Sequence, residues 1–254
     1  MTARQRLRAF LAGETVDRPP FLPFAMAFAA RLDQTPIDRL FDNANTLTRP
    51  LSGLRQLFGL DALVVRPPAG RVKEDSVVAA VSDAVERLRV LTREQLAIVL
   101  ALPGPATIAD DGDMEEGVDQ LLDLTRRLHP EQIDAVALVE ERALGDARSG
   151  FPEVLAPLWN TASYYGLGRI FVTCEAGAFD SGADAIVTWS DLPKAKPTKP
   201  QARVGIVLRQ GQPLPHLAEG EFYTTEELLP DTDIEWFKLV VSRAARCEVG
   251  TPSA

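Results

Sequence analysis

Two kinds of hydrophobic pattern alternate along this chain. Short, almost wholly apolar runs occur at 21–25, 61–66, 98–102, 135–139, 169–173, 185–188 and 203–208, with a weaker one at 222–225. Longer stretches lie between them, at 45–58, 76–88, 115–128, 151–165 and 234–245. In these stretches apolar residues return every three or four positions, as they do on a helix with one buried face. A first stretch of this kind, 3–12, opens the chain, with Leu7, Phe10 and Leu11 on one side and Arg4 and Arg8 elsewhere. Gly13 and Gly59 stand where helices end. Pro67-Pro68 and the Pro-Gly-Pro at 103–105 close the second and third strands.

Strands that are apolar on both faces and alternate with helices predict a parallel sheet covered on both sides. Eight of them predict closure into a (β/α)8 barrel, the TIM-barrel class of α/β fold. An open doubly wound sheet is the rival, and no Gly-rich phosphate loop follows the first strand to support it. The second half is compressed. Only 174–184 separate the fifth and sixth strands, and 193–200 reads PKAKPTKP, a poor helix because of its prolines. The expectation is a shortened, irregular second half with helices irregular or missing between 177 and 215. With no internal repeat and no linker, 1–254 reads as a single domain.

Composition narrows the function. The 254 residues suit one barrel, and a net charge of −9 argues against nucleic acid as a partner. The two cysteines, Cys174 and Cys247, form neither a disulfide framework nor a CxxC zinc pattern, so a reducing cytoplasm is the expected location. The apolar stretch 21–30 is broken by Pro23 and is far shorter than the roughly 20 residues that span a bilayer. Glu14 and Asp17 precede it, so neither a membrane segment nor a secretory signal is expected.

Several stretches match one family in order. RQRLRAFLAGETVDRPPFLPF (4–24) carries Gly13, Glu14, Asp17, Arg18 and Pro20 in the pattern of a basic helix, Gly-Glu, then Asp-Arg-x-Pro. FGLDALVV (58–65), LPGPATIA (102–109), VALVEERA (136–143) with SGFPEVLAPLW (149–159), YYGLGRIFVTCEAG (164–177) and GEFYTTEELLPDTDIEW (220–236) follow. Together they resemble the uroporphyrinogen decarboxylase-like and corrinoid-linked methyltransferase superfamily, as a divergent, shortened member. The resemblance implies a barrel whose first helix caps the bottom, with Asp17 and Arg18 pinning the entry loop.

The departures from that pattern matter for chemistry. Where decarboxylases of the family carry a catalytic Asp at the end of strand two, this chain has Val65, Arg66 and Pro67, so it is not expected to decarboxylate uroporphyrinogen. The basic loop after strand one is replaced by AMAFAARLD (25–33). In the methyltransferase branch the resemblance implies zinc held by His-x-Cys after strand five and by a late Cys. Here Val172 stands for the His, Cys174 remains, and the late position falls near 220–222. Cys174 and His216 are the metal candidates, completed by Glu175 if the fold brings them together, since a catalytic zinc normally has three protein ligands.

Barrel enzymes work at the C-terminal ends of their strands. That rule selects Cys174, Glu140 (or its neighbour Glu141) and Glu175 as catalytic candidates, and Arg66, Trp189, Asp191, Arg209 and His216 as substrate-binding ones. Each has a plainer reading. Cys174 serves equally as a small buried hydrophobe, the glutamates and arginines as ion pairs, and His216 as a surface residue. Three functions stay open. One is a small-molecule enzyme of methyl transfer with a corrinoid or thiol acceptor. The second is a decarboxylase-like lyase acting on a carboxylate or tetrapyrrole. The third is a non-catalytic barrel that binds or scaffolds an active homologue. The expected cofactor is zinc, a corrinoid or none. The expected partners are a small-molecule substrate and, beyond it, a second copy, a related barrel or a corrinoid protein.

Overall fold

The computed structural model describes residues 1–109, 113–128, 132–144, 150–175, 180–189 and 202–246. Within them the chain forms eight parallel strands in the order β1-β8-β7-β6-β5-β4-β3-β2. The strands are β1 (Phe21–Leu22), β2 (Ala62–Val65), β3 (Ala97–Pro103), β4 (Ala135–Glu140), β5 (Gly168–Thr173), β6 (Ala185–Thr188), β7 (Arg203–Leu208) and β8 (Glu221–Thr225). β1 ladders with β8 and comes back beside β2, so the sheet is a nearly closed (β/α)8 barrel. The helices are α1 (Ala3–Leu11), α2 (Met26–Leu32), α3 (Ala44–Phe58), α4 (Asp75–Leu91), the short α5 (Pro105–Ile108), α6 (Met114–Arg127), α7 (Phe151–Tyr164) and α8 (Ile234–Ala245). Among the described residues no helix lies between β5 and β8, as the compressed spacing predicts.

Relative to the sequence reading β1 is much shorter, and α2 and the short α5 are new. Pro23 has no N–H to donate, so β1 ends at Leu22. Phe24 N then bonds Thr225 Oγ1 instead of a ladder partner. The segment read as a loop, AMAFAARLD, forms α2. It is alanine-rich and lacks β-branched residues, which favours a helix.

Strand residues divide by parity into two cores. Ala62 and Val64, Ala97, Val99 and Ala101, Ala135, Ala137 and Val139, Ile170 and Val172, Ala185 and Val187, and Phe222 fill the inside of the barrel. Their neighbours Leu63, Val65, Ile98, Leu100, Val136, Leu138 and Phe171 pack outward against the helices. The interior residues are small, so the barrel is filled by its own side chains and is no channel.

Helix α1 closes the bottom. Thr2 and Gln5 form a capping box at its start, and Leu7, Phe10 and Leu11 plug the interior. Gly168 makes room for the plug, because a Cβ there would lie 2.3 Å from Leu11 Cδ1. Charged hydrogen bonds lock the same end. Arg6 grips Asp17 through both oxygens and reaches Asp61, which Arg18 also grips. The fully buried Asp134 accepts from Arg4, Arg8, Arg89 and the backbone N–H of Ile98. Charge-assisted bonds of this type are about twice as strong as neutral ones. Asp17 and Arg18 thus pin the entry loop, and Asp61 sits at the N-terminal end of the strands.

Candidate functional site at the barrel mouth

The inward parity of the strands continues past their C-terminal ends. Arg66 stands two residues after inward Val64, Glu141 after Val139, Cys174 after Val172, and Trp189 after Val187. A strand repeats its face every two residues, so these four side chains form one layer over the plugged interior.

The layer is organised around Arg66. Its guanidinium lies over the Trp189 ring, 5.1 Å from the centroid, and that ring packs edge-to-face with Phe24, their centroids 5.0 Å apart. Arg66 Nη2 bonds Glu141, and Nη1 lies 4.0 Å from Glu227. Glu227 accepts the N–H of Ala27 at 3.0 Å, at the start of α2. Burial pushes the Glu227 carboxyl above its usual range, opposed by backbone N–H bonds and by Arg66, although 26% of the side chain is still exposed. A cleft of about 310 Å³ opens here, walled by Met26, Phe41, Pro67, Pro103, Glu141 and Glu227.

The other candidates occupy different places. Glu140 lies on the outward parity of β4 and is 1% exposed. Its carboxylate accepts the N–H of Ala106 at 3.0 Å, the hydroxyl of Thr107 and the N–H of Arg142 at 3.2 Å. Thr107 Oγ1 in turn accepts the N–H of Glu141 at 3.1 Å. Burial raises the Glu140 carboxyl, and those bonds pull the other way. Glu140 therefore braces the turn that aims Glu141, and Glu141 holds the inward place expected of its neighbour.

Cys174 is exposed at the rim, and its thiol points to the carbonyl oxygen of Glu141 at 3.6 Å. Partial desolvation of the sulfur, together with the charges of Glu175, Glu140 and Glu141, pushes the thiol above its ordinary value. Glu175 follows in a turn closed by its N–H to Thr173 Oγ1 at 3.1 Å. Arg209 continues the inward face of β7 and bonds Glu226. Asp191, Cys247 and the 193–200 segment lie outside the described residues.

His216 is a correction. After Arg209 the chain must carry β7 back down to the start of β8, and Pro215 accepts a hydrogen bond from the outward-facing Tyr223 on the way. Leu217, Ala218 and Gly220 then line a small bottom hollow with Phe10 and Gly13. His216 thus lies on the descending connection and not at the mouth. Among the described residues no group of three or more His, Cys, Asp or Glu side chains could hold a metal ion. The Cys174–Glu175–His216 set does not assemble, and these residues do not fit the zinc that the resemblance implies.

Glu226 and Glu227 were not among the sequence candidates. They directly follow Thr225, so the strand-end rule applies to them as it does to Arg66. The signal was present, but the strand before them is the weakest of the eight by pattern.

The chain shares its fold with a methyltransferase from Methanosarcina mazei. The two superpose with a TM-score of 0.68 over 96% of this chain and 98% of that one, at 14% sequence identity. No protein-family model matches the chain. No curated protein matches it in sequence. Among the described residues no helix is long and apolar enough to cross a membrane.

Proposed function

We propose that this chain is a small-molecule enzyme of the methyl-transfer type, with its reaction centre in the cleft around Arg66, Glu141 and Glu227. The observation that carries the reading is the single layer of inward side chains at the C-terminal mouth, where (β/α)8 enzymes place their chemistry. The whole-length likeness to a methyltransferase supports the reaction class.

Methyl transfer to a thiol acceptor needs a base for the S–H proton. Glu227, partly enclosed and raised by its surroundings, is suited to take it. The acceptor sulfur then forms the new S–C bond, and the donor–methyl bond breaks with its electron pair left on the donor. Arg66, stacked on Trp189 and held by Glu141, fixes the orientation of the carboxylates. Cys174 is a protonated neighbour and not the nucleophile on this reading. The cleft is at the lower end of the roughly 300–1,000 Å³ typical of small-molecule sites. On this reading a corrinoid donor would be presented at the cleft by a partner protein.

The lyase alternative is weaker because each arginine it relies on is already paired, Arg66 with Glu141 and Arg209 with Glu226. The test is to incubate the purified chain with isotope-labelled methyl donors and a simple thiol, and to follow the label by NMR. The expected result is a labelled thioether, formed on the order of a hundred-fold more slowly by Glu227→Gln. Ligands that occupy the cleft without any label reaching sulfur would overturn the proposal in favour of a binding barrel.

A further inference from the structure

The charge inventory of the cleft says what kind of molecule it takes. Among its described lining residues the charged groups are Arg66, Glu141 and Glu227, one cation against two carboxylates. Arg66 is committed to Glu141, and its approach to Glu227 at 4.0 Å is too long for a hydrogen bond. Glu227 receives backbone N–H groups from Met26 and Ala27, and its nearest counter-charge among the described residues is Arg66 at 4.0 Å. Among the described residues the charged groups around it come from three directions: Arg66 on β2, Glu141 beyond Arg66 on β4, and the adjoining Glu226, which Arg209 neutralises. An anionic ligand must either displace Glu141 from Arg66 or add a third negative charge. A cationic ligand supplies Glu227 with a counter-charge nearer than Arg66, which is shared with Glu141.

The walls refine the choice. Met26 and Phe41 are buried, and Ile37, Pro67, Pro103 and Val139 complete an apolar lining. A primary ammonium entering here would bring three N–H donors that need acceptors. A cation whose hydrogens are replaced by methyl groups brings none, and it packs favourably against apolar and aromatic surface. We infer that the cleft binds a methylated onium ion, an ammonium or sulfonium, beside Glu227. The role of this ion as methyl donor rests on the function proposed above, while its binding does not.

The electrostatics then close on themselves. The onium charge holds Glu227 ionised, which makes it the base for the thiol proton. When the methyl group leaves, the onium becomes a neutral amine or thioether and Glu227 becomes neutral on taking the proton. The cleft carries the same net charge before and after the step, so no uncompensated charge is stranded in it.

The test uses the whole chain and four probes: tetramethylammonium and trimethylsulfonium as cations, acetate and methanesulfonate as anions. Isothermal titration in buffers of different ionisation enthalpy measures affinity and proton release together. Both cations are expected to bind more tightly than either anion, with affinity rising as pH increases through the raised range of Glu227 and with protons released on binding. Glu227→Gln should weaken the cations about tenfold or more and abolish the release. Arg66→Gln, which removes the competing cation, should tighten cation binding, and it serves if the first variant does not fold. Tighter binding of an anion, or loss of cation binding in Arg66→Gln, overturns the inference. Failure of all four probes to bind in the titration overturns it and the cleft assignment together. Cation binding with no label transferred supports the ligand class and overturns the methyl-transfer reading alone.

Discussion

Asp134 shows how much one residue can carry here. It is fully buried, takes hydrogen bonds from three arginines and the N–H of Ile98, and joins α1, α4 and the base of β3. Replacing it strands the nearly buried Arg89 without a counter-charge, and breaking such a pair typically costs about 3–5 kcal/mol. Asp134→Asn is therefore expected to lower stability by that amount in urea unfolding, a Tm drop on the order of 10 °C. Asp17 acts at the same end with a pH signature. The hydrogen bonds from Arg6 hold its carboxyl down from 3.8 to about 2. The stability it adds is present above the ordinary carboxylate range and is lost as pH falls through about 2. With the side chain 46% exposed, solvent screening leaves that contribution at about 1 kcal/mol. Asp17→Asn should be less stable than the parent at neutral pH, and the difference should vanish in strong acid.

At the scale of elements, close approach decides which glycines matter. Gly117 lies on α6 where it crosses α5, and a Cβ there would sit 2.2 Å from the carbonyl oxygen of Pro105. That contact is backbone, so it cannot rotate away. Gly117→Ala should cost about 1 kcal/mol or more net, because the overlap outweighs the helix propensity gained. Gly53 on α3 has nothing within 4 Å of its missing Cβ. Gly53→Ala should instead stabilise by about 0.5–1 kcal/mol. A chemical-denaturation series on the two variants checks both signs. Equal effects would mean that the α5–α6 contact is looser than this geometry.

On the scale of the whole barrel, the buried ion-pair networks and the candidate cleft sit at opposite ends. The bottom holds the Arg6–Asp17–Asp61–Arg18 network and the Asp134 cluster around a helix plug. The mouth holds a half-open cleft in which Glu141 is 51% exposed. Arg66→Gln is expected to change stability by less than about 1 kcal/mol, a Tm change of roughly 2–4 °C at most, because its ion pair is solvent-screened. Arg6→Gln should cost about 2–4 kcal/mol, since it leaves Asp17 and Asp61 without their shared donor. Differential scanning calorimetry of the two variants side by side measures this asymmetry. A larger loss from Arg66 would make the mouth structural.

The architecture was legible in the sequence because it is written in local patterns. Apolar runs too short for helices, amphipathic stretches between them and glycine or proline at the joints determined the strand number, the parallel sheet and the barrel class. Strand ends could be marked, so the layer of Arg66, Glu141, Cys174, Trp189 and Arg209 was within reach. Facing was not, because strands buried on both sides show no alternation, and only closure of the barrel made Val139 inward and Glu140 outward. Nor could local pattern place His216, whose position depends on where a long return connection runs. Glu227 acquires its character only from meeting Arg66 and the start of α2, residues about 160 and 200 positions away in a sequence that gives no sign of the encounter.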